Sequence, residues 1–565
     1  MSSALSATGG RVESTRSRTS GAVYTPAPLA AWVAARLLHS LPEGAHTIAD
    51  FACGEGALLS AVEAAASRPL RLLGADVDPI AIRRAAAALP TGRFTRLDAI
   101  SASLKGFDSL RRELDAKRID GIVLNPPWGI ELEASRTKLR EAFQLARGQC
   151  DSADLFLELA VELLPDGGAA VLILPDSLFF PDRAPLRRFL LETCTLDLVA
   201  RLGEGFFEGV FRGTAVVALR RGAAPPRHAI ECLRLSSDQR KRVLAGEETL
   251  ESAAAAGAHS VPQSRFARSG GAAFSVDLRQ ADLKHVRAVC RLPADWTRTL
   301  KSGRGVELSK HGEVIVCAHC ERSRPRPRRS APLRCECGAV IDPSRSSHRR
   351  IVRPIEAARR ADWKPLIAGE DVRRYRCAPS REIETGIDGI NYKGGVQAGD
   401  RLLVRKTGIG LKAAIYSGRA LTTQTVFHFR ATPDTPDFLL RYALGVLCSR
   451  VMLAVHLKRT GENEWRSHPY VTQSLLAGLP IPHPEPGTQQ WRQAIAIADL
   501  VPRRGGRGPT AATDLEIERL VAGLYDFEGA DMYWVARVLN EAQSLEGIST
   551  LRLAPDASVD PLVVD

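Results

Sequence analysis

The segment TIADFACGEG, residues 47–56, decides the fold of the first part of this chain. It begins with a short apolar run, passes through the acidic residue Asp50 and ends in a Gly-x-Gly turn that leads into an Ala-rich stretch. This order predicts a β-strand, a tight turn and an α-helix, because glycine permits sharp backbone geometry and close approach to a ligand. The phosphate-binding spacing Gly-x-Gly-x-x-Gly is missing, since position 59 is Leu59, so a pyrophosphate cofactor is not favoured.

Short apolar runs continue to alternate with Ala-rich helical patterns as far as residue 221. Such alternation predicts a doubly wound, mostly parallel α/β sheet. In these sheets ligands bind at the carboxyl ends of the strands. The predicted strands are 47–51, 70–76, 92–97, 121–124, 169–174, 198–202 and 214–219, and the predicted helices are 28–39, 57–66, 79–88, 153–164 and 184–191.

Acidic residues end the first three predicted strands, at Asp50, Asp76 and Asp98. At the carboxyl edge of a parallel sheet, Asp76 would meet ribose hydroxyls, and Asp98 is positioned to accept from an adenine amino group. Each acid alone could equally be a solvated loop residue. The three together predict a site for a nucleoside cofactor.

The fourth predicted strand is followed by Asn125-Pro126-Pro127-Trp128. Two successive prolines fix the backbone dihedrals and leave the Pro126 carbonyl free to accept a hydrogen bond. That carbonyl and the Asn125 amide oxygen can accept both N–H bonds of an exocyclic amine, while Trp128 offers a face for a base removed from its helix. The alternative is a Pro-Pro turn before a core tryptophan. The position after the fourth strand favours a site for a ring-conjugated amine.

With these motifs, residues 20–220 resemble the gamma-class DNA adenine-N6 methyltransferases of restriction–modification systems. In that family an N-terminal cofactor segment, similar to Tyr24-Thr25-Pro26 here, precedes the Gly-rich turn, the Asn-Pro-Pro-aromatic motif and a target-recognition domain. The resemblance implies a Rossmann-like class I methyltransferase domain over residues 21–221. It would transfer a methyl group directly from S-adenosylmethionine to N6 of a flipped adenine. Asn125 fits adenine, because cytosine-N4 enzymes of this type usually carry serine there.

The resemblance also implies roles for single residues. The tetrapeptide 125–128 would hold the target base, and Phe206 or Phe207 would supply a second aromatic ring against it. Phe156 would pack on the cofactor's adenine, with an ordinary helix-core position as the alternative. The residues implied in cofactor binding are Tyr24, Thr25, Asp50, Ala52, Gly54, Gly56, Asp76, Asp98, Asn125 and Phe156.

After residue 221 the alternating pattern stops. We predict a linker merging into a second domain over 222–289, a mixed α/β target-recognition domain over 290–485 and a C-terminal helical segment over 486–565. Helical patterns cover 237–245, 438–454 and 514–525, and residues 501–510 are predicted to be a loop. Arg405 and Lys406 would suit phosphate or base-edge contacts, and which of them does so stays open. The segments that resemble specificity domains of the family are 369–375, 403–408, 422–425, 444–450 and 479–482.

Four cysteines form two close pairs, Cys317 with Cys320 and Cys335 with Cys337. Four thiolates from two knuckles suit a closed, tetrahedral structural zinc site. The second pair has one intervening residue instead of the usual two, so His319 is an alternative ligand, and free thiols in a loop are the other interpretation. We predict a zinc ribbon over 314–341, whose Arg-rich hairpin would contact DNA.

The net charge of +13 is concentrated in residues 321–360, where twelve arginines against four acids leave +8. Such a block predicts a polyanionic partner, here double-stranded DNA, and the alternative is a solvated, disordered insertion. The Ser/Arg/Thr-rich residues 1–20 are predicted to be a disordered leader. Eleven mostly scattered cysteines favour a reducing cytoplasm over a disulfide framework, and no apolar run predicts a membrane partner.

Two other classes of function stay open. The tetrapeptide motif also occurs in methyltransferases that act on protein glutamine or on guanine in RNA, although their extra domains are typically small and N-terminal. A DNA-binding subunit with a degenerate methyltransferase fold is the non-enzymatic alternative. A restriction nuclease or defence-system subunit encoded separately is a further expected partner.

Overall fold

The computed structural model describes residues 24–130, 132, 134–147, 150–210, 212–309, 311–327, 332–355, 361–392, 399–461, 471–502 and 508–542. The chain divides into two compact units, Met1–Gln280 and Ala281–Asp565. The predicted leader 1–20 lies outside the described residues, as do parts of the predicted loop 501–510 and of the C-terminal segment 486–565.

A nine-stranded mixed sheet forms the centre of the first unit. Its strands are β1 (Thr47–Asp50), β2 (Arg71–Asp76), β3 (Arg93–Arg96), β4 (Gly121–Leu124), β5 (Ala169–Pro175), β6 (Cys194–Gly203), β7 (Thr214–Arg221), β8 (Ala229–Arg234) and β9 (His259–Pro262). They lie in the order β3-β2-β1-β4-β5-β7-β6-β8-β9. Strands β1 to β5 are parallel, whereas β7 and β9 run antiparallel to their neighbours. The predicted doubly wound α/β fold is confirmed.

Helices cover both faces of this sheet, and two separate buried clusters show it. Ile48 and Val123 belong to one cluster, whereas their neighbours Ala49 and Leu124 belong to the other. Successive residues of a strand point to opposite faces, so a strand buried on both faces is apolar throughout. The helices are α1 (Ala27–Ser40), α2 (Ala57–Ala65), α3 (Pro79–Ala88), α4 (Ala99–Ser103), α5 (Phe107–Glu113), α6 (Arg136–Ala142), α7 (Ser152–Leu163), α8 (Ala184–Thr193), α9 (Ser237–Leu244), α10 (Leu250–Gly257) and α11 (Gln263–Ala267).

The predicted linker over 222–289 is wrong for most of its length. Strand β8 pairs in parallel with β6, and β9 pairs antiparallel with β8, so this segment extends the sheet of the first unit. The first unit accordingly ends at Gln280. The segment is rich in Ala, Gly and Ser, and β9 is a short edge strand, so hydrophobic periodicity gave little signal there.

The second unit is mixed α/β, as predicted, with its strands before most of its helices. Its strands are β10 (Leu300–Arg304), β11 (Glu313–Val316), β12 (Ser323–Pro325), β13 (Leu333–Arg334), β14 (Val340–Ile341), β15 (His348–Arg350), β16 (Val352–Pro354), β17 (Trp363–Ile367), β18 (Val372–Arg373), β19 (Arg376–Cys377), β20 (Arg381–Glu384), β21 (Asp400–Arg405), β22 (Ala413–Ser417), β23 (Leu421–Thr422) and β24 (Val426–Ala431). They form the sheets β10-β24-β21-β22, β16-β20-β17-β23 and β12-β11-β15 and the pairs β13-β14 and β18-β19. The helices are α12 (Leu283–Cys290), α13 (Leu439–Leu447), α14 (Arg450–Thr460), α15 (Gln473–Ala477), α16 (Gln489–Leu500), α17 (Ala511–Leu524) and α18 (Gly529–Glu541).

The single helix predicted over 438–454 is wrong, because α13 and α14 are separate helices bent by 60°. The Ser449 hydroxyl accepts a hydrogen bond from the Met452 N–H and caps the start of α14. Both helices are buried, and Ser449 and Arg450 at the break are buried as well, so the helical pattern alone did not show the break. Among the described residues no helix by itself is long and apolar enough to cross a membrane, and this bent pair meets the criterion only as a combined length.

Candidate active site

The carboxyl ends of β1 and β4 bring the two predicted motifs together. These strands are neighbours and run parallel, with Ala49 opposite Ile122, so Asp50 and Asn125 end at the same edge of the sheet. The Asn125 amide nitrogen Nδ2 donates to Thr25 Oγ1 at 3.1 Å, which ties the N-terminal segment to the tetrapeptide 125–128. The structure therefore places the predicted cofactor segment beside the predicted catalytic one.

The two glycines of the turn have different roles. Gly54 and Gly56 both have positive φ, +52° and +87°, a region that favours glycine. A Cβ on Gly56 would lie 3.3 Å from the Ala85 Cβ, so Gly56 is needed for packing of the turn against α3. A Cβ on Gly54 would meet nothing within 4 Å. Gly54 thus leaves open space where a ligand would approach the strand end.

Asp50 is a buried carboxyl group at the base of the turn. Its Oδ1 accepts from the Ala52 N–H at 3.0 Å. Burial, together with the neighbouring Asp76 carboxylate, raises the pKa of Asp50 to about 8, although the hydrogen bond from Ala52 opposes the shift. Burial likewise raises the pKa of the Cys53 thiol. A cationic ligand at this strand end would favour the ionised form of Asp50.

The other two strand-end acids already accept hydrogen bonds from the protein. Asp76 accepts from the Gly54 N–H at 2.9 Å and from the Asp78 N–H at 2.9 Å, and so fixes the glycine turn. Asp98 is exposed and caps α4 by accepting from the Ser101 N–H at 3.1 Å and the Ser101 hydroxyl at 2.6 Å. Their contacts with ribose and adenine stay predictions.

Tyr24 and Phe156 occupy contrasting environments. Tyr24 is 59% exposed, and its pKa is raised by partial burial and then by Glu55. Phe156 is 7% exposed and stacks on Phe51 with ring centroids 6.4 Å apart. Its present contacts are those of a helix-core residue, the alternative stated above. A contact of Phe156 with the cofactor's adenine stays a prediction.

Trp128 is half-buried and lies edge-on to Phe207, with ring centroids 5.5 Å apart and an interplanar angle of 88°. Phe206 and Phe207 are each 5% exposed. Of these two phenylalanines, Phe207 is the one whose ring the structure places against Trp128. This geometry favours Phe207 as the second aromatic residue of a base pocket.

The residues that hold the tetrapeptide 125–128 in place were not predicted from the sequence. The Ser152 hydroxyl donates to the Pro127 carbonyl at 2.6 Å, and Asp151 accepts from the Gly129 N–H at 2.7 Å. A signal existed: Asp151 precedes an apolar helical pattern and has an acid, Asp154, three residues later, which is a helix-capping arrangement. Burial raises the pKa of Asp154 to about 6, and Arg183 opposes that shift.

Four thiols come together in the second unit, as the sequence predicted. The sulfur atoms of Cys317, Cys320, Cys335 and Cys337 all lie within 4.8 Å of one another. Sγ–Sγ distances are 3.7 Å between Cys317 and Cys337 and 3.6 Å between Cys320 and Cys335. We call these four residues the cysteine cluster. The alternative ligand His319 is exposed and is not part of the cluster found among the described residues.

Three of the arginines between the two cysteine pairs are engaged within the protein. Arg322 and Arg324 pair with Glu336 at 3.0 and 2.8 Å, and Arg326 pairs with Glu313 at 2.9 Å. Arg334 is exposed on β13, and the arginines at 328 and 329 lie outside the described residues. The DNA-contacting role of the hairpin stays a prediction.

Three of the segments that resemble specificity domains meet in the second unit. The Thr425 hydroxyl accepts from the Gly369 N–H at 3.0 Å, and the Thr425 carbonyl accepts from the Lys406 N–H at 2.8 Å. Arg405 and Lys406 lie half-buried at the end of β21. Burial lowers the pKa of Lys406, and the nearby Arg304 lowers it further. Their contacts with DNA stay predictions.

Residues 11–250 match the family model described as N-6 DNA Methylase. This stretch lies within the first unit, which ends at Gln280. Over 93 residues the chain is 37% identical to the methylase subunit of the type I restriction enzyme EcoEI from Escherichia coli, covering 16% of this chain and 18% of that protein. Over 221 residues it is 26% identical to the type II methyltransferase M.VspI from Vibrio sp. (strain 343), covering 38% of this chain and 51% of that protein.

The chain also has similarity to solved structures. The methyltransferase subunit of a type I restriction-modification system from Streptococcus thermophilus is 17% identical, with a TM-score of 0.35, covering 46% of this chain and 63% of that one. The match to the first two relatives spans about half of one and less than a fifth of the other. Together with the strand order, the family match gives the first unit the class I methyltransferase fold.

Proposed function

We propose that this protein is an S-adenosylmethionine-dependent methyltransferase that methylates N6 of a flipped adenine in a specific sequence of double-stranded DNA. The observation that carries the proposal is the shared strand edge at which Asn125 and Trp128 lie beside the open side of the glycine turn. The family match of residues 11–250 supports it. A restriction–modification or phage-defence system in the cytoplasm, with a separately encoded nuclease, fits the relatives' names.

The structure suggests how these residues would handle the amine. Because the Asn125 Nδ2 donates to Thr25, Oδ1 would be the atom that accepts a hydrogen bond from the amine. The Pro127 carbonyl is engaged by Ser152, so the Pro126 carbonyl would be the second acceptor. Two acceptors on one amino group pull its lone pair out of conjugation with the ring. Trp128 and Phe207 would then hold the extruded base.

The residues around the glycine turn fit S-adenosylmethionine. Gly54 leaves space at the strand end, and Asp76 fixes the turn by accepting from the Gly54 N–H. Asp50 would supply a buried acid for a cationic ligand. When bound, the cofactor supplies an electrophilic methyl group. The protein's part is to position the amine and to exclude water, which are the main sources of rate in a direct transfer.

The variant Asn125→Ala tests this assignment. We expect it to bind S-adenosylmethionine like the wild type in calorimetry, but to lose turnover by about two to three orders of magnitude, because one of two amine acceptors is removed. Turnover is measured as transfer of a labelled methyl group to DNA, and single-molecule sequencing identifies the modified base and its motif. The matched control Asn540→Ala, an exposed position in the second unit, should keep full turnover.

Other outcomes distinguish the alternatives. Transfer to RNA or to a protein glutamine, with none to DNA, would replace the proposed substrate. Absence of cofactor binding by the wild type would favour a DNA-binding subunit with a degenerate fold. An Asn125→Ala protein that still methylates adenine at the wild-type rate would refute the role given to Asn125.

We propose further that the cysteine cluster holds a structural Zn²⁺. Four thiolates around tetrahedral zinc place their sulfur atoms about 3.8 Å apart, given Zn–S bonds of about 2.3 Å. The distances of 3.7 and 3.6 Å within the cluster fit that arrangement. The strands around it are two to four residues long, so a metal would contribute much of the local stability.

Metal analysis of the purified protein tests the zinc site. We expect one zinc per chain, lost in Cys320→Ser but retained in the control Cys290→Ser, an exposed cysteine outside the cluster. Chelation should lower the thermal stability of the wild type and leave Cys320→Ser unaffected. Metal-free wild-type protein with an unchanged melting curve would contradict the site. We also propose that the second unit contacts the DNA substrate and that Arg405 and Lys406 are among its contact residues.

A further inference from the structure

Asp151 is a buried acid whose two oxygens reach two different parts of the candidate base pocket. It lies 7% exposed at the start of α7, where its side chain caps the helix through the Ala153 N–H at 3.2 Å. Its own N–H donates to Asp154 at 2.8 Å, which completes a capping box. The carboxylate is therefore fixed in place by the helix it caps.

The first set of contacts fixes the backbone on both sides of Trp128. Asp151 Oδ1 accepts from the Gly129 N–H at 2.7 Å, directly after the indole. The adjacent Ser152 hydroxyl donates to the Pro127 carbonyl at 2.6 Å, directly before it. Two consecutive residues of α7 thus hold the peptide groups that flank Trp128.

The second contact reaches the segment that carries the other aromatic residue. Asp151 Oδ2 pairs with Arg212 Nη1 at 3.2 Å. Arg212 follows Phe207 by five positions in the chain, in the loop between β6 and β7. Its guanidinium lies against Gly129, where an added Cβ would be 3.2 Å from Nη2. The loop of Phe207 and the loop of Trp128 therefore meet at one carboxylate.

We propose that Asp151 is a positioning residue that sets the spacing between Trp128 and Phe207, and with it the width of the pocket for the flipped base. The inference depends on the proposed function, because it concerns the same pocket. Asp151 touches neither the amine nor the methyl donor in this arrangement. Its effect reaches the reaction through the edge-on pair of Trp128 and Phe207, whose ring centroids are 5.5 Å apart.

Two substitutions separate positioning from helix capping. Asp151→Ser keeps a residue that caps helices well but is too short to reach both Gly129 and Arg212. Asp151→Asn keeps the cap and the neutral acceptor toward Gly129 and removes the charge that pairs with Arg212. Thr249→Ala serves as the control for loss of a helix cap, because Thr249 caps α10 through the Ser252 N–H at 3.1 Å, away from the pocket.

The test uses full-length protein, S-adenosylmethionine and DNA that contains the site methylated by the wild type. We expect kcat to fall about 100-fold in Asp151→Ser, as is typical when reacting groups are misplaced by about 1 Å. Asp151→Asn should lose on the order of tenfold, which corresponds to one charged contact. The Kd for S-adenosylmethionine, the KM for DNA and the secondary structure should stay at their wild-type values in both, and Thr249→Ala should keep its kcat.

The outcomes that overturn the inference are distinct from those that overturn the proposed function. Asp151→Ser with a wild-type kcat would overturn the inference, and so would parallel loss of cofactor binding, which would show a structural role. Equal losses of kcat in the serine and asparagine variants would overturn the role given to the contact with Gly129, because Asp151→Asn keeps that contact. A wild-type protein that methylates no DNA would instead refute the proposed function.

Discussion

Asp50 in the first unit and Glu518 in the second are both buried carboxyl groups, with 2% and 0% exposure, but their neighbours differ. Glu518 accepts from the Arg450 guanidinium at 2.8 Å and from the Arg374 guanidinium at 3.3 Å. It also accepts from the Arg450 backbone N–H at 3.0 and 2.9 Å, at the first residue of α14. Asp50 accepts from the Ala52 N–H, and its nearest charge is another carboxylate, Asp76.

Burial raises the pKa of both carboxyl groups, but only at Glu518 do arginines oppose that shift. A buried acid with two cations joins the elements that carry them, here the start of α14 and the turn at Arg374, to α17. A buried acid without a neighbouring cation is costly to ionise. Residues with such strongly shifted pKa values are concentrated at functional sites. We therefore interpret Glu518 as an acid that stabilises the fold and Asp50 as a candidate acid for the proposed cationic ligand.

Removing the paired acid should give the largest effect. Glu518→Ala leaves Arg450, 0% exposed, without its shortest ion pair, and loss of one partner of a buried pair costs about 3–5 kcal/mol. We expect the free energy of unfolding of the second unit, measured by denaturant titration, to fall by that amount, with cofactor binding unchanged. In the control Glu516→Ala, whose pair with Arg519 is half-exposed, the loss should stay below about 1 kcal/mol. Equal shifts in the two variants would contradict the structural role of Glu518.

Ionisation of Asp50 should be detectable as the release of a proton when the cofactor binds. The pKa of Asp50 is raised in the folded state, so its contribution to stability is fully present below the unfolded pKa of about 3.9 and is lost as pH rises through about 8. A cationic ligand reverses the preference and ionises the group. We therefore expect S-adenosylmethionine binding near pH 7 to release close to one proton from Asp50.

Calorimetry in two buffers of different ionisation enthalpy measures that proton. The heat of binding should depend on the buffer for the wild type and lose that dependence in Asp50→Asn. Asp115→Asn, an exposed acid paired with Arg71, should behave as the wild type. A wild-type binding heat that is the same in both buffers would place the cationic part of the cofactor away from Asp50.

The sequence predicted the edge of the sheet well because that edge depends on local pattern. Asp50, Gly54 and Asn125 follow strands that are apolar throughout, and parallel strands bring their ends together by topology alone. The four cysteines were equally accessible, since ligand spacing is a local property. These elements needed no knowledge of distant contacts.

The missed features depend on contacts between distant parts of the chain. Strand β8 forms by pairing with β6, where Leu233 lies opposite Ala200, 33 positions earlier in the chain, and β9 forms by pairing with β8. The composition of both strands carries little signal. The break before α14 is fixed partly by Glu518, which accepts from the backbone at Arg450. Asp151 was passed over because its contact with Arg212 joins residues 61 positions apart.

The smallest effect tests whether the open space beside Asp50 is the cofactor site. Gly54→Ala and Gly167→Ala each place a methyl group on a glycine of positive φ, +52° and +77°, with nothing within 4 Å. Each should cost about 1 kcal/mol of stability from backbone conformation alone. Gly54 lies at the carboxyl edge of β1, whereas Gly167 precedes β5 at the opposite edge.

Only Gly54→Ala should weaken S-adenosylmethionine binding in calorimetry, because its methyl group enters the space left beside the strand end. If the two variants lose equal stability and only Gly54→Ala loses affinity, the cofactor binds at the edge of the sheet that contains Gly54. Wild-type affinity in Gly54→Ala would mean that the cofactor does not bind over the glycine turn. A different cationic ligand would then be needed to favour the ionised form of Asp50, whose pKa is raised.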